Sequence, residues 1–417
     1  MSEAPTIDRE KLLADLEDLA RIGATPDGGV TRLVCTPEYA AAQDWLRARL
    51  AEIGLTVTSD GAGNVFGHYR PAGPSASDPA VYLGSHLDTV PNGGHYDGAL
   101  GVVAALAAAR AVIASGGAAR PFTVVSWADE EGARFGAGLF GSRAATGEVT
   151  AEELTASRDA NGISRAEAMR RSGLDPLAAL RARLPAGAVR HYLELHIEQG
   201  ANLAEAGIEI GIVEGIVGIS RYEITFTGQA NHAGTTPMHL RRDALRGAAR
   251  LIQAVPEIVA RRGSGRSVGT VGQISVRPGA ANVIPGEATL TVELRDLASD
   301  VLQSLCDEVA QAAREAAEAE GLTASLALKD LARPALLDQV LQGRIADICR
   351  ARGYSSTSIP SGAGHDAQSL ARLAPSAMIF VPSRDGISHS PHEYTSPDDC
   401  ARGAQVLTDL LAGLVRT

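Results

Sequence analysis

The stretch FTVVSWADEEGARFG, residues 122–136, starts as a continuous apolar run and then meets three consecutive acids, Asp129, Glu130 and Glu131. A short run rich in aromatic and β-branched residues reads as a strand buried on both faces, as in a parallel sheet. Carboxylates resist burial and repel one another, so a buried strand that ends in a knot of them needs positive charge nearby. What supplies that charge is the question the rest of the chain has to answer.

Working outward, VYLGSH (81–86), YLELHI (192–197) and AMIFVP (377–382) repeat the continuous apolar pattern. Shorter strands fit residues 55–59 and 64–69, and PAGPSASDP (71–79) is turn-rich. Three- and four-residue spacing predicts helices over 8–22, 37–53, 99–115 and 337–352, and a more polar helical region over 151–186. This alternation of strands and helices points to an α/β domain with a mainly parallel sheet.

From Gly218 the pattern changes. RYEITFTG (221–228) alternates apolar and polar residues, as a half-exposed antiparallel strand does. A helix at 241–261, strands TVGQISV and ATLTVELRD, a helix at 299–320 and a strand near 323–328 follow. The order β-α-β-β-α-β is the split βαβ arrangement of ferredoxin-like α+β domains. The chain therefore divides into a first catalytic part (1–217), an inserted domain (218–331) and a second catalytic part (332–417), with no internal repeat.

The 417 residues are 45% hydrophobic and 21% charged, enough for a substantial core. A net charge of −11 argues against nucleic acid or an anionic membrane as a partner. Cys35, Cys306, Cys349 and Cys400 lack CxxC spacing, which speaks against a disulfide framework or a thiolate metal site. The N-terminal segment is charged and amphipathic, without an apolar signal core, and no stretch approaches a membrane span. A cytoplasmic location is the expectation.

The α/β strands share one way of ending. VYLGSH closes on His86 with Asp88 following, FTVVSW on Glu130 and Glu131, YLELHI on His196, Glu198 and Gln199, and AMIFVP leads to His389 and His392. Ligands of open α/β sheets bind at the carboxyl ends of the strands, and parallel strands bring those ends to one edge. NGGHYDG adds Asp97, with Gly93, Gly94 and Gly98 easing its approach. Imidazoles and carboxylates without thiolates suit Zn, Mn, Co or Ni. Two metals about 3.5–4 Å apart that share a carboxylate form a hydrolytic centre. One acid of the 129–131 knot would be a ligand and its neighbour a base toward water. A single histidine near a strand end is more often structural, and His68, His191 and His239 are read that way. The coincidence of several strand ends carries the metal reading.

GSHLDTVPNGGHYDGALGV, ADEEGARFGAGLFGSR, LELHIEQG, NHAGTTPM, SGAGHDA and DGISHSPHEYTS, spread in order over residues 84–396, resemble the M20-type amidohydrolases. Within that family the likeness is to the branch of N-carbamoyl-L-amino-acid hydrolases, allantoate amidohydrolases and β-ureidopropionases. The resemblance implies that His86, Asp97 and His196 hold one divalent ion and Asp97, Glu131 and His389 a second, with Asp97 bridging. It makes Glu130 the general base, and Asp88 the group that orients the His86 imidazole. The inserted domain would be a lid that also mediates homodimerisation. Its His232 would stabilise the oxyanion from the partner subunit, while Asn282 and Arg295 bind the substrate carboxylate. Gln199, Gly364 and His365 would contact the substrate's ureido or carboxylate end. A histidine at position 196, where the peptidase relatives carry a carboxylate, favours the carbamoylase branch. His95 stands close enough to Asp97 to compete as a ligand, and Gln368 and Arg384 depart from the small or apolar residues of many relatives.

The activity implied is hydrolysis of a ureido C–N bond, with an N-carbamoyl-L-amino acid as first choice and amino acid, ammonia and carbon dioxide as products. Allantoate, N-carbamoyl-β-alanine and N-acyl amino acids or dipeptides are the alternative substrates, and a non-catalytic metal-binding relative is the alternative class. No GxSxG elbow occurs, and only Lys11 and Lys329 are present, neither in a motif, so serine-hydrolase and Schiff-base chemistry lack their residues. GAGLFG (136–141) matches GxGxxG but follows an acidic loop rather than a strand, and reads as chance in a chain with 45 Gly. Asp129 reads as a turn or capping residue.

Overall fold

A computed structural model of the chain describes residues 4–416. These form two compact units, one running to Glu214 and resuming at Leu337, the other comprising Gly215–Leu336. The break points lie a few residues from the sequence expectation. The strand Thr323–Ala332 runs past the expected end near residue 328 because its pairing with Gly218–Thr227 resumes beyond an irregularity between Leu328 and Asp330.

In the first unit the strands Ala80–His86, Phe122–Trp127 and Ser376–Val381 are buried along their whole length, and Val189–Ile197 along most of it. Phe122–Trp127, Ala80–His86, Val189–Ile197 and Ser376–Val381 are adjacent in that order and parallel. Covered on both faces, such strands have no polar side to show, which is why their sequences do not alternate. The flanks are antiparallel. Val65–Tyr69 pairs with Phe122–Trp127 and with Thr56–Ser59, and Ile210–Ile216 pairs with Ser376–Val381. The sheet is thus mixed, with parallel pairing confined to the middle, where the chemistry-bearing strand ends lie side by side.

The Ala-rich helix Ala99–Ala114 is almost entirely buried, packing on Ala80–His86 and Val189–Ile197 and against the helix Pro397–Val415. That last helix and the strands Ile210–Ile216 and Ser356–Ser361 were not anticipated. Residues 151–186 form three short helices, Ala151–Ala156, Arg165–Arg171 and Pro176–Ala179, rather than one region. Thr150, Ser164 and Asp175 each cap a separate start by accepting a backbone N–H, so the chain is told to begin a helix three times.

The second unit is an antiparallel four-stranded sheet in the order Thr323–Ala332, Gly218–Thr227, Glu287–Asp296, Val268–Arg277. Helices Ala244–Arg262 and Ser299–Ala319 pack on it and on each other. Strand Glu287–Asp296 alternates half-buried and buried residues along its length, so one face feeds a core of Ile224, Phe226, Leu251, Leu290 and Leu305. The element order and strand order are those of a ferredoxin-like α+β domain. All four cysteines are free. Among the described residues no helix is long and apolar enough to cross a membrane.

The two units have separate cores. Replacing the buried Leu290 by Ala should therefore cost about 2–5 kcal/mol, with hydrogen exchange accelerating across 215–336 first. Equal and simultaneous loss of protection in strands 80–86 and 122–127 would contradict separate cores.

Candidate metal centre

Asp97 sits in the loop between strand Ala80–His86 and helix Ala99–Ala114 and is buried. Its Oδ1 lies 3.2 Å from His196 Nε2 and 3.5 Å from His86 Nε2. Its Oδ2 faces the other way, 3.4 Å from His389 Nε2, which is in turn 3.3 Å from Glu131 Oε2. The ligand atoms of His86, Asp97 and His196, and those of Asp97, Glu131 and His389, each fall within 4.8 Å of one another. One carboxylate thus presents a different oxygen to each of two triads.

The rings are aimed by the backbone. His86 Nδ1 is 3.0 Å from the Asp88 carbonyl and His196 Nδ1 is 2.9 Å from the Ile197 carbonyl, which turns both Nε2 atoms toward Asp97. His86 Nε2 is buried with no hydrogen-bond partner, although Asp97 lies within ion-pair range. An imidazole nitrogen left open in this way, amid oxygen and nitrogen donors, fits a borderline divalent cation. Gly98 is required where these groups meet. Its φ is +63°, and a Cβ there would fall 2.3 Å from the His86 ring.

The acidic turn divides its labour. Asp129 has a positive φ of 55° and points away from its neighbours to form a buried ion pair with Arg165. That guanidinium also donates to the Ala137 carbonyl at 3.1 Å and lies 4.2 Å and 4.7 Å from the Phe140 and Phe135 ring centroids. Of the turn or capping role expected of Asp129, the turn is present, and its side chain serves as this anchor rather than as a helix cap. Glu130 is buried, its Oε2 3.7 Å from His86 Nε2, while Glu131 reaches His389. Asp88 orients the His86 ring, as the resemblance implied, but through its carbonyl and not its carboxylate, whose Oδ1 is 3.8 Å from Nδ1. Its two oxygens instead accept the backbone N–H groups of Glu130 and Glu131 at 3.2 and 3.1 Å, and its carbonyl aims the ring.

GAGLFG also has a task. The N–H groups of Leu139, Phe140 and Gly141 donate to the carbonyls of Glu130, Asp129 and Ala128 at 2.7, 3.1 and 2.7 Å, clamping the turn from behind. A Cβ on Gly141 would meet Ala128 N at 2.4 Å, so the approach is too close for a side chain.

Gln199, at φ +58°, donates from Nε2 to Asp97 Oδ2 at 2.7 Å and so belongs to the same cluster. His365 is buried, with its ring centroid 4.4 Å from that of His196 and its Nε2 2.9 Å from Ser361 Oγ; Gly364 precedes it, half-buried. In the second unit, His232 and Asn282 are neighbours: the short strands Asn231–His232 and Val283–Ile284 pair, and Ala233 N donates to the Asn282 carbonyl at 2.9 Å. His232 is exposed, and its Nδ1 accepts from the backbone of Gly234 and Thr235 at 3.0 and 3.3 Å. Arg295 forms an ion pair with Glu293 at 2.7 Å.

Several other polar residues are turned elsewhere. His95 lies 3.0 Å from the Gly28 carbonyl and belongs to neither triad. Glu198 caps the helix Asn202–Ala206 through the N–H groups of Asn202 and Leu203 at 3.0 and 2.8 Å. His392 is exposed. The Arg384 guanidinium lies 4.1 Å from the Tyr394 ring centroid, and both line a cavity of about 370 Å³ with Leu203, Pro382 and Asp399.

Sequence reading missed the groups behind the ligands. Glu194 is buried two residues before His196 and accepts from Ser85 Oγ at 2.7 Å, Tyr192 OH at 3.2 Å and Ala367 N at 3.0 Å. Asp366 is wholly buried close by. An acid inside an apolar strand, as in YLELHI, was the available signal for Glu194.

The profile described as "Peptidase family M20/M25/M40" matches residues 82–413. The chain belongs to the M20 family. It is 43% identical to an N-carbamoyl-L-amino acid amidohydrolase of Geobacillus stearothermophilus, over 96% of this chain and 97% of that one. It is 38% identical to an allantoate amidohydrolase of Bacillus subtilis, over 95% of each. A crystal structure of an amidase of the hydantoinase/carbamoylase family from Burkholderia multivorans superposes with a TM-score of 0.90 at 36% identity, covering 99% of both chains. The M20 chain lies in that hydantoinase/carbamoylase branch and is a metal-dependent hydrolase of non-peptide C–N bonds, with two triads suited to divalent ions.

Without metal, the electrostatics of the centre favour protons. Burial would raise Asp97, but His196, His389 and His86 outweigh it and hold the carboxyl well below the ordinary range. Burial pushes Glu130 well above that range, with Glu131, Asp366 and Asp88 adding to it against His86. Burial, then Asp97, takes Glu131 up to about 8. The bond to Asp97 and the charge of Glu131 raise His389 to about 9 against burial. Burial lowers His86 and His196, but the surrounding carboxylates prevail and both end up raised. A metal must displace these protons. Loading at pH 7 should therefore release protons, measurable as a dependence of calorimetric heat on buffer ionisation enthalpy. Both Glu131 and His389 are raised on folding. Their contribution to metal-free stability is thus lost as pH climbs from about 4.5 through about 8 and from 6.5 through about 9. The metal-induced rise in Tm should grow over that window. Proton-neutral loading would contradict this electrostatic picture.

Proposed function

We propose that the protein hydrolyses the C–N bond of a ureido acid, with an N-carbamoyl-L-amino acid as preferred substrate, yielding the amino acid, ammonia and carbon dioxide. The observation that carries the reading is the buried carboxylate of Asp97, with one oxygen facing His86 and His196 and the other facing His389. His86, Asp97 and His196 would hold one divalent ion and Asp97, Glu131 and His389 the other, as Zn, Mn, Co or Ni. Such ions, when bound, bring the pKa of a water toward neutrality and polarise a carbonyl.

Glu130 has the setting of a general base. It is buried beside His86, raised above the ordinary carboxylate range, and fixed by Asp88 through its own N–H. It would take a proton from the attacking water as the carbamoyl carbon becomes tetrahedral. It would then return that proton to the amino nitrogen as the C–N bond breaks. The carbamate released decomposes to ammonia and carbon dioxide. His232 suits the developing oxyanion, because Nδ1 is occupied as an acceptor and the neutral ring therefore carries its proton on Nε2. Arg295 and Asn282 are proposed to hold the substrate carboxylate. Arg295 would do so by exchanging part of its pairing with Glu293, a partner it already shares with Arg221. Gln199, Gly364 and His365 are proposed to shape the other end of the site.

A homodimer through 218–331 is part of this reading. Its support is the apolar exposure of the two edge strands, where Ile274, Leu328 and Leu331 are 46%, 49% and 57% exposed. Allantoate is the second reading, favoured by the likeness to the Bacillus subtilis allantoate amidohydrolase.

Metal-reconstituted protein offered N-carbamoyl-L-amino acids, allantoate, N-carbamoyl-β-alanine and N-acetyl amino acids should release ammonia from a ureido acid. Glu130→Gln should retain its metal yet lose about 10²–10⁴-fold in kcat. Amine release from acyl amino acids alone would overturn the substrate class, and near-normal turnover in Glu130→Gln would overturn the role of that residue.

A further inference from the structure

Glu393 belongs to neither triad and ends up beside them nonetheless. It is 5% exposed, on the loop that follows strand Ser376–Val381 and carries His389. Its Oε1 accepts the backbone N–H groups of Tyr96 and Asp97 at 2.9 and 3.0 Å. Its Oε2 lies 2.9 Å from Ser388 Oγ, and that hydroxyl is also 2.9 Å from Asp97 Oδ2. Oε1 of Glu393 is therefore taken up by two backbone N–H groups, while Oε2 and Asp97 Oδ2 share the one proton of the Ser388 hydroxyl.

The arrangement is costly in two ways, and each tells against a space-filling role. A second buried carboxylate beside Asp97 is repelled by it, so an apolar side chain would pack more favourably if volume were all that mattered. The opposite loop also gives up a side chain to admit it. A Cβ on Gly94 would stand 2.1 Å from Glu393 Oε1. What is gained is that the main chain of Asp97 is tied to the loop bearing His389 and Ser388. Those two loops come from strands that are not neighbours in the sheet, Ala80–His86 and Ser376–Val381, so pairing alone does not fix their separation.

We propose that Glu393 is a positioning residue for the metal centre. It sets the height and rotation of the Asp97 carboxylate relative to His389 through the Tyr96 and Asp97 amides, and Ser388 completes the link. This rests on the reading of the two triads as metal sites. Partners that orient ligands typically cost about 10–100-fold in metal affinity when removed.

The test is metal affinity of the metal-free chain, by competition with a chelating indicator using Zn or Mn, alongside the metal-induced rise in Tm. Glu393→Ala should weaken at least one of the two ions about 10–100-fold and shrink the metal-induced rise. Gly94→Ala, which pushes the carboxylate aside without altering it, should do the same and serves if Glu393→Ala does not fold. Glu393→Gln keeps an oxygen for the two amides and should recover most of the affinity. Wild-type affinity in folded Glu393→Ala or Gly94→Ala, with only a lower metal-free Tm, overturns the proposal alone. Wild-type protein that binds no divalent ion overturns the metal reading and the proposal with it.

Discussion

The Asp97 carboxylate is buried among three imidazoles, with Oδ1 shared by His86 and His196 and Oδ2 turned toward His389. A buried anion is tolerated only where positive charge or donors surround it. Here the surroundings are supplied by strand ends that parallel pairing has already brought to one edge. Much of the first unit serves that constraint. Gly98 gives way to the His86 ring, carbonyls of Asp88 and Ile197 aim the imidazoles, and Gln199 reaches Oδ2 from a left-handed backbone. The knot of negative charge after Trp127 is then no anomaly. It is half of a site whose other half is cationic.

The three acids of that knot stay apart because each is held by a different means. Asp129 is drawn away by Arg165, a pair wholly inside the protein. Glu130 and Glu131 are fixed from their amides by the two oxygens of one residue, Asp88, and the carbonyl of Glu130 is held in turn by the GAGLFG segment. Preorganisation of this kind matters for a hydrolytic centre, since a base displaced by about an ångström loses much of its advantage. The energy that holds Glu130 in place is therefore spread over residues with no chemistry of their own.

The two candidate triads were legible in the sequence because their residues sit at or after the ends of strands with unmistakable apolar runs, and the motifs around them resemble one family. The inserted domain was legible for a related reason: strand Glu287–Asp296 alternates cleanly between half-buried and buried residues. What escaped depended on long-range partners or weak local patterns. GAGLFG looked accidental because its partner atoms are backbone carbonyls, which no side-chain motif announces. The Asp129–Arg165 pair was not legible because Arg165 lies far along the chain in a polar helical stretch, and the role of Asp88 was half legible because its carbonyl orients His86 while its carboxylate holds the acidic turn. The helix Pro397–Val415 did carry a start signal, Ser396 followed by Pro397, Asp398 and Asp399, that went unused.

The central claim is that Asp97 joins two ions by giving one oxygen to each. Anomalous diffraction from crystals of the metal-loaded protein addresses it directly. Two peaks about 3.5–4 Å apart are expected, one bounded by His86, His196 and Asp97 Oδ1, the other by Glu131, His389 and Asp97 Oδ2. A single ion, or two ions that do not share Asp97, would contradict it.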